Sequence, residues 1–176
     1  MSSGRIDIEV IGISAVQRHR VAASATRFYA GEPLNGDIGY TTGVANANTV
    51  TKAATATPVI DAAGANAFFV GISAQDAPVS SAGVVTLGYV DVVEVIPNYT
   101  RLRGKAATTT TCDTLTELIG LMYDQVLWDS ATISGVFQIS SSSADTSGLT
   151  IKGGIWERSM LDVVVDFRAM RTELTA

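Results

Sequence analysis

Apolar positions along this chain recur every second residue or in short Val-rich runs, a pattern that predicts strands far more often than helices. The longest run is Gly83–Pro97 (GVVTLGYVDVVEVIP), closed by Gly and Pro. β-Branched and aromatic residues pack well on a pleated surface and lose χ1 freedom in a helix, so this stretch reads as a strand. Its apolar residues fall on both parities: Val85, Leu87, Val93 and Val95 against Val84, Val90, Val92 and Ile96. That predicts a central strand covered on both faces. Leu161–Phe167 differs, because Leu161, Val163, Val165 and Phe167 share one face while Asp162 and Asp166 take the other. It predicts a half-buried strand with a wet side.

Ile6-Asp7-Ile8-Glu9-Val10 alternates as well, and two readings stand side by side: a strand of the chain's own sheet, or an extended arm that adds to a neighbour. Gln17–Ala25 has no strong period. Gly31–Asp37 is rich in turn formers. Val44–Lys52 and Thr55–Ile60 are weak strand candidates, and Phe68–Ile72 is a stronger one with Phe68, Val70 and Ile72 on one face. The polar stretch Ala74–Ala82 marks a division. The resulting layout is an N-terminal arm (1–24), a small β lobe (25–82) and a larger β lobe (83–176), the two lobes also being readable as one continuous domain.

Within the larger lobe, Arg101, Arg103 and Lys105 fall at strand spacing and form a basic stripe. Thr114-x-x-Glu117 is a capping box, followed by Leu115, Leu118, Ile119 and Met122 at helical spacing. A turn or two of helix is expected there, running into a strand that ends near Asp129. Ile133, Phe137 and Ile139 share a face of the next strand. The polar loop Ser140–Gly148 then leads to Leu149–Lys152, which predicts a long-looped hairpin. Gly153-Gly154 turns the chain into the last strand, and Arg168–Ala176 is a tail.

Composition narrows the function classes. Of the 176 residues 47% are hydrophobic and only 16% charged, below the usual quarter, with Ala, Gly, Thr and Ser filling the difference. Small residues suit flush β packing and protein contact, and supply little acid–base chemistry. A net charge of −5 argues against a nucleic-acid binder held by phosphate contacts. Between Phe28 and Thr100 the only base is Lys52, whereas bases collect at Arg18–Arg20, Arg101–Lys105 and the C-terminus. An acidic region beside basic patches suits head-to-tail or lattice contacts, though a solvated face is the commoner explanation. No window approaches the roughly 18 apolar residues that span a bilayer, so no membrane partner is expected. The first ten residues lack the apolar core of a signal peptide, so secretion by that route is not expected.

Candidate chemistry is sparse. The single histidine, His19, lies between two arginines, and an exposed His in a basic patch is the simpler reading. The single Cys112 excludes an internal disulfide and a cysteine-built metal site, and no base is suggested near it to form a thiolate. Asp145-Thr146-Ser147-Gly148 only loosely matches an aspartic-protease motif and reads as loop. Trp128 between Asp124 and Asp129 is either core or part of a sugar site. Asn98-Tyr99-Thr100 is a glycosylation sequon that a cytoplasmic chain does not use. Phosphate loops, dinucleotide fingerprints and zinc spacings are missing from the sequence. The reading is a soluble, mainly β, non-enzymatic protein without cofactor or metal.

Phe28-Tyr29-Ala30-Gly31-Glu32-Pro33-Leu34-Asn35-Gly36 precedes Pro58-Val59-Ile60 and Phe69-Val70-Gly71-Ile72-Ser73. In this order the segments resemble the head decoration, or cement, proteins of tailed bacteriophages. Leu118–Asp124 and Leu161–Val165 are similar to the second half of longer members. The resemblance implies a structural protein, usually a homotrimer, that sits on the exterior of an assembled phage head and clamps neighbouring major capsid subunits after being made in the host cytoplasm. The expected fold is mainly β, with β-barrel or β-sandwich-like (β-tulip-type) lobes, an extended N-terminal arm and at most one or two short helices. In such a mechanism Ile6, Ile8 and Val10 of the arm, the Arg18 and Arg20 patch, and the Arg101, Arg103 and Lys105 patch are the candidate partner contacts. The alternative function is a carbohydrate- or receptor-binding β-module of a phage tail, motivated by the Thr/Ser-rich surface, Trp128, Trp156 and five tyrosines.

Overall fold

The computed structural model describes residues 8–21, 27–37, 49–53, 67–126, 128–130, 137–140 and 148–165. In chain order the strands are β1 (Ile8–Ile11), β2 (Ser14–Val21), β3 (Pro33–Asp37), β4 (Thr49–Lys52), β5 (Ala67–Ser73), β6 (Gly88–Val95) and β7 (Arg101–Lys105). After the helix α1 (Leu115–Leu121) come β8 (Gln125–Val126), β9 (Trp128–Ser130), β10 (Phe137–Ile139), β11 (Leu149–Ile155) and β12 (Met160–Val165). The protein is mainly β, as its patterning predicts. Among the described residues five strands close into a barrel in the order β2-β4-β3-β5-β6, five form a sheet in the order β1-β7-β12-β11-β8, and β9 and β10 pair with each other.

The described residues begin in the sheet, build the barrel, and return to the sheet. Two short turns make both passages, and Thr100 ties them together. Its buried hydroxyl donates to the carbonyl of Ile13 and accepts from the N–H of Ile96 at 2.8 Å. Gly12 turns the chain at φ 97, a conformation that glycine adopts without penalty. Ile8–Ile11 pairs antiparallel with Arg101–Lys105 of the same chain, so this segment is an intramolecular edge strand rather than a free arm. Ser14–Val21, which overlaps the stretch Gln17–Ala25 that shows no strong period in sequence, pairs with β6 through eight consecutive positions. The polar Ala74–Ala82 stretch lies in the connection between β5 and β6, which pair within one barrel, so the passage between the two parts of the fold falls at Ile96–Thr100.

Two apolar clusters hold these pieces. Val21, Phe28, Leu34, Val50, Val70, Ala77, Val85, Val90 and Val92 fill the barrel. The second cluster lies between barrel and sheet, joining Phe69, Ile72 and Val95 to Ile8, Leu102, Trp128, Ile139, Ile151, Leu161 and Val163. β5 serves both clusters, giving Val70 to one and Phe69 and Ile72 to the other. A bulge makes this possible. Leu34 faces Gly71 and Asn35 faces Phe69, which leaves Val70 as the extra residue and inverts the parity expected for Phe68–Ile72. Gly71 is required by proximity, since a Cβ there would run into the carbonyl oxygen of Val93.

The expected two-face burial of Gly83–Pro97 holds only in part. Only Gly88–Val95 is strand, giving Val90 and Val92 to the barrel cluster and Val95 to the cluster between barrel and sheet, while Val84, Leu87, Tyr89 and Ile96 remain exposed. The wet side expected for β12 is also corrected. Asp162 and Val164 are buried because β12 lies between β7 and β11, with Arg103 placed over Asp162. The hairpin expected between Phe137–Ile139 and Leu149–Lys152 does not form. β10 pairs with β9, placing Ile139 against Trp128, while β11 pairs with β12 and β8. Gly31–Asp37 is a turn only as far as Glu32, whose N–H donates to Tyr29 O at 3.1 Å. Pro33 then opens β3, a position where a missing N–H is tolerated. The expectations placed on Ile6, Thr55–Ile60, Ile133, Asp166, Phe167 and Arg168–Ala176 lie outside the described residues.

Candidate functional site

Alternation sets the outer wall of the barrel. On β2 and β6, Val21, Val90 and Val92 point inward, so the opposite parity faces out. It forms a cross-strand ladder of Val16 with Val93, Arg18 with Asp91, and Arg20 with Tyr89. Arg18 Nε donates to Asp91 Oδ1 at 3.0 Å, and Gln75 donates to the other carboxylate oxygen at 2.8 Å. The Asp91 contact holds the Arg18 guanidinium above its ordinary range, chiefly by that hydrogen bond. Val16 (64% exposed) projects from this side, and Ile13 (70%) in the turn before β2, Tyr89 and Tyr99 are also largely in solvent.

A second exposed face belongs to α1. The helix begins as its sequence predicts. Thr114 accepts from the Glu117 N–H at 3.3 Å, and the Glu117 carboxylate accepts from the N–H groups of Thr114 and Asp113. Four apolar residues in this stretch have helical spacing, yet only Leu118 is fully buried. Leu115 and Ile119, one turn apart, and Tyr123 beyond the helix end are each more than half exposed. This excess of apolar residues over one buried stripe was the sequence signal for a second face. The Lys152 ammonium lies 4.5 Å from the centre of the Tyr123 ring.

The residues named from sequence separate into distinct environments. Ile6 lies outside the described residues. Ile8 is buried, and Val10 packs on the core between barrel and sheet, because both lie on the inward face of β1. Arg103 reaches Asp162 with two hydrogen bonds, of 2.6 and 2.8 Å, and the same contact holds its guanidinium above its ordinary range. Arg101 and Lys105 flank it on the outer face of β7 and are exposed. The two basic patches therefore sit on different sheets, Arg18 and Arg20 on the barrel wall and Arg101 and Lys105 on the open sheet.

The polar residues weighed as chemistry have structural partners. His19 contacts Glu94 at 2.7 Å on the parity of Val90 and Val92. Cys112 is buried, and that burial, with Asp113 and Glu117 nearby, pushes its thiol up. Trp128 is enclosed in the core 5.9 Å from Phe69, so its ring offers no platform for a sugar. Sequence reasoning passed over the buried Glu32. It accepts from the Tyr29 N–H at 3.1 Å and pairs with Lys52 at 3.0 Å, fixing the Phe28–Pro33 turn to the end of β4. Among the described residues no group of three or more His, Cys, Asp or Glu side chains is placed to hold a metal. No helix among them is long and apolar enough to cross a membrane. No protein-family model matches the chain, and no curated protein matches it significantly.

Proposed function

We propose that this protein is a non-enzymatic structural component of a tailed-phage head, a decoration or cement protein that attaches to the exterior of the assembled shell through the major capsid protein. The observation that carries the reading is the set of large apolar side chains left in solvent, Val16 and Tyr89 on the barrel wall, Ile13 and Tyr99 in the two turns that Thr100 ties, and Leu115, Ile119 and Tyr123 in and just after α1. Apolar groups gathered on built surfaces mark sites made for protein contact. The likeness of Phe28–Gly36 to decoration proteins adds the phage setting, and Glu32 gives that motif a structural task within the fold. Arg101 and Lys105, exposed cations on a chain of net charge −5, are the candidate contacts to an acidic shell surface.

Cosedimentation with mature heads of the phage that encodes the chain tests this. Saturable binding at a fixed ratio to the shell subunit is expected, with at least tenfold weaker binding for Arg101→Glu combined with Lys105→Glu. Absence of binding to mature heads, or selective binding to polysaccharides in a glycan array, overturns it in favour of the tail module.

A further inference from the structure

We draw no further inference here: the strongest candidate, the edge of β2 from Ser14 to His19, which β4 meets among the described residues only at Arg20 and Val21, carries nothing because nothing in the structure shows what covers it.

Discussion

Arg103 and Asp162 stand directly opposite each other on adjacent strands, and the guanidinium grips the carboxylate through both of its oxygens, with Nε to Oδ1 at 2.6 Å and a terminal amino group to Oδ2 at 2.8 Å. Asp162 is buried, and Glu9 faces Arg103 from the other side on β1. The row ties three strands of the open sheet on the face away from the core.

Removing one partner strands the other charge out of water. Arg103→Met is therefore expected to cost about 3–5 kcal/mol, since the Asp162 carboxylate is left uncompensated. The double variant Arg103→Met with Asp162→Leu is expected to recover most of that loss. Urea denaturation of both variants measures the difference, and equal losses in the two would show that the pair does not behave as a unit. The raised Arg103 value places its own titration above the working range. While Asp162 is ionised, its contribution is full below the unfolded guanidinium value and is lost as pH rises through the folded one.

Thr100 joins the two crossings between barrel and sheet. Thr100→Val keeps the shape and removes the hydroxyl, leaving the Ile96 N–H without this acceptor and the Ile13 carbonyl without this donor. A loss of about 1–3 kcal/mol is expected, the usual cost of buried polar groups deprived of partners. Amide hydrogen exchange is expected to accelerate first at Ile96 and in the turns beside it. A uniform acceleration over the chain would contradict a local tie.

Gly71 lets β5 lie close to β6. In Gly71→Ala the new methyl meets the backbone of Val93 and Glu94, and backbone cannot swing aside as a side chain can. The strands must separate, at an expected cost of about 1–3 kcal/mol. Gly120→Ala is the control, because a Cβ there meets nothing within 4 Å. It is expected to be neutral or slightly stabilising by thermal melting.

Cys112 is buried and its thiol is pushed up from 9.0, first by burial and then by Asp113 and Glu117. A folded value above the unfolded one favours the protonated thiol in the native state. Its contribution is full below the unfolded value and disappears as pH rises through the folded value. The urea midpoint of the wild type is expected to fall between pH 8 and pH 10 more than that of Cys112→Ala. Native protein is expected to react with a thiol reagent at least tenfold more slowly than unfolded protein at the same pH.

The sequence by itself determined those features whose partners are close in the chain. Thr114 and Glu117 are three residues apart, so the capping box and the start of α1 could be read directly. The alternation of Leu102 and Gly104 with Arg101, Arg103 and Lys105 likewise set the two faces of β7. Tertiary structure alone decided what depends on a distant neighbour. β2 carries almost no buried side chain and has no hydrophobic period, and it is a strand because β6 pairs along all of it. Asp162 reads as solvent-facing until Arg103, 59 residues away in the chain, covers it. The bulge at Val70 reverses a parity that local pattern had set the other way, and so lets β5 serve both clusters. Backbone hydrogen bonding and burial are properties of the pair of strands, and a single strand's residues encode only half of each pair.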